Sequence, residues 1–272
     1  MSEQRTHHVP TDGVRIGATV HGDGPPLVLV QGIMGDGELD WQALLPHLTG
    51  QFTCHLTNLR GRGLSGDHPD LGFGRQVADL LGYVDSLDGP VALVGWSGGA
   101  GLALTAAAES EAVTAVAALE PVVPSLMDEA EQGVVGATIA HVAQLLADDR
   151  RTEAARAFAG WPFTDDDIAG AEAAGYFEAS GRYVPSLLGT LQQWLAYEGP
   201  TVDDPAVLGD IRVPVLVLIG SASKPLSTTS AHHVVDRVPD ARLQVVPGAG
   251  HAAPLTHPGV IAAALADFFL PR

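Results

Sequence analysis

Cysteine is almost missing from the chain: Cys54 is the only one in 272 residues. A lone thiol makes no internal disulfide and builds no thiolate metal cage. Charged residues are scarce as well, at 17%, below the roughly 25% of an average soluble domain. Those present are mainly acidic, with 14 Lys and Arg against 32 Asp and Glu and a formal charge of −18. Nucleic acid and acidic membranes are polyanions that would repel such a surface, so neither is an expected partner. Lysine occurs once, at Lys224, which reads as compositional bias rather than a functional clue. No apolar run approaches the roughly 18 residues of a membrane span; the longest, near Val213 to Ile219, has strand length. Met1 to Pro10 is polar and carries two histidines, without the apolar stretch of a secretory signal, so the cytoplasm is the expected compartment.

Apolar residues, by contrast, make up 46%, ample for a chain of this length to bury about 75% of its unfolded surface. Short β-branched or leucine-rich runs alternate with alanine-rich segments of helix length, the order of a parallel sheet with crossover helices. The expected fold class is α/β. The turn Thr11-Asp12-Gly13 predicts an antiparallel hairpin running into Val14 to Val20. Further strands are expected at Pro26 to Val30, Phe52 to Leu59, Val91 to Gly95, Val113 to Leu119, Val213 to Ile219 and Ala241 to Val246. Helices are expected at Trp41 to Leu48, Gln76 to Asp85, Gly99 to Glu109, Thr228 to Val238 and Gly259 to Phe269. From about Pro124 to Tyr197 the alternation stops and helical pieces are broken by glycines. This divides the chain into a core of residues 1–123 and 201–272 and a helical insertion of residues 124–200.

Gly95-Trp96-Ser97-Gly98-Gly99 fits G-x-S-x-G, a tight strand-to-helix turn that exposes a serine hydroxyl at the top of a sheet. The motif alone is weak in a chain with 32 glycines. Its context is stronger, because Ser97 follows a buried-type strand and precedes a helix whose N-terminus favours developing negative charge. Serine attacks only when a base removes its proton. Of the eleven histidines, His251 directly follows the last predicted strand in Pro247-Gly248-Ala249-Gly250-His251, where a glycine turn can swing the imidazole over the C-terminal edge of the sheet. His257 is its nearest rival but reads as a helix start, and His232 and His233 fall within a helix.

The chain resembles the α/β-hydrolase fold superfamily from about residue 13 to its end. Four ordered motifs carry the likeness: Val30-Gln31-Gly32-Ile33-Met34-Gly35, Asn58-Leu59-Arg60-Gly61-Arg62-Gly63-Leu64-Ser65, the Ser97 turn, and Gly248-Ala249-Gly250-His251. Two positions depart from the usual pattern, Gln31 where a histidine is common and Asn58 where an aspartate is. The resemblance implies a mostly parallel twisted sheet with helices on both faces and a helical cap over Ser97. It also implies an acid that orients the histidine. Most members place that acid after the seventh strand, where this chain has Ser223. Some relatives place it after strand six, where Glu120 stands in Leu119-Glu120-Pro121. Asp203, Asp204 or a dyad without an acid remain alternatives. The implied oxyanion donors are the Gly98 and Ile33 backbone N–H groups, with Gly32 or Met34 taking part if the loop is shifted.

Cap aromatics Trp161, Phe163, Tyr176, Phe177, Tyr183, Trp194 and Tyr197 offer an apolar pocket, and two or three of them are expected to line it. Met34 and Trp96 flank the implied catalytic turns, so Gly32, Met34, Trp96 and Trp161 are the expected substrate contacts. The acidic balance disfavours an anionic substrate only mildly, because Arg60 and Arg62 could offset it locally. No H-E-x-x-H or G-x-x-x-x-G-K occurs and Gly61-Arg62-Gly63 is not read as a dinucleotide loop, so neither metal nor organic cofactor is expected. The chemistry these expectations describe is cleavage of an apolar carboxylic ester or lactone through an acyl-enzyme. Carbon–carbon bond hydrolysis, peracid formation, biosynthetic cyclisation or ligand reception without turnover are the rival uses of the same site.

Overall fold

The computed structural model describes residues 5–270; Met1 to Gln4, the start of the polar N-terminal stretch, lie outside them. Eight strands form one sheet: β1 (Arg5–Thr11), β2 (Val14–His21), β3 (Pro26–Val30), β4 (Thr53–Thr57), β5 (Val91–Trp96), β6 (Val113–Leu119), β7 (Val215–Gly220) and β8 (Ala241–Val246). Their spatial order is β1-β2-β4-β3-β5-β6-β7-β8. β1 and β2 form an antiparallel hairpin across Asp12-Gly13, with Gly13 at φ 74°. β2 joins β4 antiparallel, and every later pairing is parallel. All six residues of β7 are buried, as expected of a strand covered by helices on both faces.

Crossover helices cover the sheet: α1 (Gly37–Trp41), α2 (Leu45–Leu48), α3 (Phe73–Asp85) and α4 (Gly98–Glu109) precede β6. Between β6 and β7 come α5 (Glu129–Ala147), α6 (Arg151–Ala159), α7 (Asp165–Ala173), α8 (Tyr176–Ser180), α9 (Val184–Leu195) and α10 (Pro205–Gly209). No strand interrupts them among the described residues. The chain closes with α11 (Pro225–Val235), α12 (Ala253–Thr256) and α13 (Pro258–Phe269).

Several expected boundaries move for identifiable reasons. The single helix foreseen over Trp41 to Leu48 is two short ones. Asp36 starts α1 early by accepting the Leu39 N–H at 2.8 Å, and Pro46 has no N–H to continue a single helix. α11 begins at Pro225 rather than Thr228, because proline at the first helical position sacrifices no hydrogen bond. β7 begins at Val215, just past Pro214, which has no N–H to give the ladder.

The chain runs outward from β3 to β4 and then returns to place β5 on the other side of β3. That reversal leaves a crevice beyond the C-terminal ends of β3 and β5, where open α/β sheets bind ligands. The loops carrying Ile33 and Ser97 leave the sheet there.

Candidate active site

Ser97 follows β5 with φ 56° and ψ −122°, a conformation that costs a non-glycine residue about 1–3 kcal/mol. Its neighbours explain how the turn fits. A Cβ on Gly95 would collide with the Gly99 carbonyl, and one on Gly99 with the Gln31 carbonyl, so only glycine permits this approach of α4 to β5 and β3. The Ser97 N–H donates to the Leu119 carbonyl at 2.9 Å, fixing the turn against the end of β6. Gly98 opens α4, so its N–H has no acceptor within the helix and points outward from the positive end of the dipole. The Ile33 side chain lies where a Gly98 Cβ would project, which places the two loops in contact.

Glu120 also has positive φ, at 49°, and its N–H continues the ladder to the Leu218 carbonyl at 2.9 Å. The carboxylate is thereby turned across the end of β7. One oxygen accepts the Gly220 N–H and the Ser223 hydroxyl, each at 2.6 Å. The other lies 3.4 Å from His251 Nδ1, with both side chains about 1% exposed. Burial pushes the Glu120 carboxyl up, but His251, Ser223 and the Gly220 N–H together outweigh it and hold the group below the ordinary carboxylate range. Ser223, which stands after β7 where the family resemblance implies an acid, donates to Glu120 instead. Ser227 is a second neighbour of Nδ1, also at 3.4 Å.

His251 is fixed from three sides. The Trp96 indole N–H donates to its carbonyl at 2.8 Å, tying the histidine loop to the residue before Ser97. Trp96 and Phe163 pack around the imidazole with centroids 6.2 and 5.9 Å away. Gly250 rests against Asp167, whose side chain completes the capping box of α7 with Thr164. Ser97 and His251 line one cavity.

The model of the alpha/beta hydrolase family matches residues 20–264. The chain belongs to that family. A curated relative is the 2-(acetamidomethylene)succinate hydrolase of Mesorhizobium japonicum, 29% identical over 251 residues, which are 91% of this chain and 88% of the relative. Another is the 2-hydroxy-6-oxo-6-(2'-aminophenyl)hexa-2,4-dienoic acid hydrolase of Metapseudomonas resinovorans, 24% identical, with 92% of this chain and 86% of that one covered. Among solved structures, an alpha/beta hydrolase from Sphaerobacter thermophilus shares 29% identity at TM-score 0.73, over 97% of this chain and all of that one.

In this hydrolase the expected substrate contacts fall into two spaces. Gly32, Met34 and Trp96 line the small cavity that Ser97 shares with His251. Trp161 lines a second cavity of about 570 Å³, which also reaches Ser97, Gly98 and Ile33. Five of the seven aromatics singled out in residues 124–200 line one or the other, more than the two or three expected: Phe163 and Tyr176 the small one, Trp161, Trp194 and Tyr197 the large. Phe73, not foreseen from sequence, joins them from α3. The alternative acids are otherwise engaged: Asp203 accepts the Ser125 N–H at 2.7 Å and Asp204 caps α10. His257 stands at the start of α13 with its Nδ1 2.9 Å from the Thr256 hydroxyl, and the buried His233 bonds to the Val202 carbonyl.

Arg60 and Arg62 do not offset charge as expected. Arg60 is paired with Asp79. Buried Arg62 spends its guanidinium on the carbonyls of Ile33, Met34 and Gly35, at 2.9 to 3.3 Å. Asp40, which the sequence did not single out, accepts the Gly32 N–H at 2.8 Å and the Tyr176 hydroxyl at 2.7 Å. Burial pushes its carboxyl up to about 8, against the opposing pull of those two donors. Gln31 braces the same loop, donating to the Gly35 carbonyl at 2.6 Å and accepting the Leu59 N–H at 3.2 Å. No sequence signal identifies Asp40, because its two partners, Gly32 and Tyr176, come from separate stretches of chain.

Gly61, Gly63 and Gly66 have dinucleotide-loop spacing, but the segment after β4 passes through turns and opens no helix before α3 at Phe73. A pyrophosphate would meet no helix N-terminus there. Among the described residues no cluster of three or more His, Cys, Asp or Glu is arranged to hold a metal ion, and no helix is long and apolar enough to cross a membrane.

Proposed function

We propose that this hydrolase cleaves a carboxylic ester or lactone of a mainly apolar small molecule without a cofactor, and that residues 124–200 serve as its cap. Ser97 attacks the carbonyl carbon, and His251 takes the hydroxyl proton. Glu120 holds the imidazole through Nδ1, leaving Nε2 as the nitrogen for the proton. The Gly98 and Ile33 N–H groups stabilise the oxyanion, and water then releases the acid from the acyl-enzyme with His251 again as base.

The observation that carries this reading is the strained Ser97 turn at the head of α4, beside a buried histidine whose other ring nitrogen faces a buried carboxylate. Strain is retained where the surrounding fold enforces it, and here it exposes a hydroxyl at the ligand crevice. The two curated relatives are named for acids, but the residues lining the large cavity include Glu198, Asp203 and Asp204 and no lysine or arginine. An anionic group would find no counter-charge on those walls, which favours a neutral substrate.

An active-site-directed fluorophosphonate should label the wild type, and Ser97→Ala should abolish labelling. Unchanged labelling of that variant, detected by intact-protein mass, refutes the assignment.

A further inference from the structure

We propose that the site divides its substrate unevenly, taking a bulky neutral acyl group on one side of Ser97 and an alcohol of only one or two carbons on the other. The inference rests on the serine-hydrolase reading and narrows it to open-chain esters of small alcohols.

Two cavities meet at Ser97 and Ile33, and they differ greatly in size. The larger, about 570 Å³, lies between Phe73, Leu191, Trp194 and Tyr197, and His251 is not among its walls. The smaller holds about 20 Å³ and is the one His251 lines. A single water needs about 10–15 Å³ by the same kind of measure, whereas drug-sized ligands occupy roughly 300–1,000 Å³.

Proton transfer decides which half of the ester goes where. As Ser97 Oγ bonds to the carbonyl carbon, its proton passes to His251. When the carbon–oxygen bond to the alcohol breaks, the departing alkoxide must recover that proton from the same imidazole. The leaving oxygen therefore sits on the His251 side, where there is room for a methoxy or ethoxy group. The acyl chain remains in the large cavity. Water then enters the space the alcohol has left and gives a proton to His251 and hydroxide to the acyl carbon. That proton finally returns to Ser97, so one small space serves both half-reactions.

The walls of the small cavity are held in place. Phe163 stacks on Trp96 with centroids 6.4 Å apart, and the Tyr176 hydroxyl is bonded to Asp40. Expansion would break these contacts. A lactone, whose alcohol is tethered to its acyl chain, cannot distribute its two halves this way.

The test uses the full chain and two series of alkyl esters. Octanoate esters of methanol, ethanol and butanol have leaving groups of similar basicity, so size is the variable; kcat/KM should fall about tenfold or more from methyl to butyl. Methyl esters of acetate, butyrate and octanoate should show a rise of about tenfold or more, in line with burial of each added methylene. Phe163→Ala and, independently, Phe158→Ala enlarge the small cavity, and either should at least halve the methyl-to-butyl ratio. Equal or reversed preference in the wild type overturns the division. Labelling of Ser97 by a fluorophosphonate separates the failures: a labelled protein without alcohol-size preference refutes this inference alone, and an unlabelled one refutes the hydrolase mechanism beneath it.

Discussion

Two residues of the candidate triad, Ser97 and Glu120, hold backbone conformations that ordinary side chains avoid. Each is turned at the end of a parallel strand, and each strand's neighbour takes up its N–H, so the sheet enforces the strain that aims the side chain. For Glu120 the consequence is a carboxylate with donors on one oxygen and the imidazole at the other. Glu120→Gln keeps the shape but presents the amide to His251 and removes the charge that stabilises an imidazolium. Turnover should fall by about 10³ to 10⁴ with the circular dichroism spectrum unchanged. A rate near wild type would transfer the orienting role elsewhere, with Ser227 the nearest group.

The proposed oxyanion site draws on the loop between β3 and α1, which is held by side chains from other elements. Arg62 satisfies three successive carbonyls in it. Arg62→Met would leave those carbonyls unpaired, so unfolding free energy should drop by about 3 kcal/mol or more. kcat should fall more than KM rises, because a loosened donor is felt most in the transition state. Loss of stability with catalysis intact would show that the loop keeps its shape without the guanidinium. Asp40 gives the same loop a pH dependence. A buried acid with its value raised to about 8 keeps a proton that the unfolded chain loses near 4, so folding is increasingly opposed as pH rises between those values. Denaturant melts of wild type and Asp40→Asn should therefore diverge across that window, with the wild type losing stability relative to the variant as pH increases. A difference that stays constant from pH 4 to 8 would contradict a protonated Asp40.

At the scale of the molecule, the helices between β6 and β7 share a hydrophobic core with the sheet and are tied to its loops by specific hydrogen bonds. Tyr176 reaches Asp40, Arg182 and Tyr183 reach Asp36, and Lys224 donates to the Gly160 and Trp161 carbonyls at 2.7 Å each. The lone lysine, discounted on composition, thus links the loop after β7 to the Trp161 wall of the large cavity. Lys224→Met should lower stability by about 1–3 kcal/mol. Hydrogen exchange should accelerate around residues 158–163 while β5 and β6 remain protected. Unchanged exchange there would show that aromatic packing alone holds this wall.

Much of this arrangement was legible in the chain itself because it depends on neighbours in sequence. The alternation of apolar runs and alanine-rich segments points to a parallel sheet, and Gly95 and Gly99 stand where the Ser97 turn admits no larger residue. Glu120 was legible only as one option, since its reach to His251 depends on β6 and β7 lying side by side. Tertiary structure alone decided what chain spacing cannot encode. It turned Arg60 and Arg62 from expected local offsets of the acidic charge into internal braces, brought Asp40 against the Gly32 loop, and opened two cavities of very unequal size onto one serine. Local backbone sterics are written within a few residues, whereas the burial of a charge or the volume of a cavity depends on segments a hundred residues apart closing on the same space.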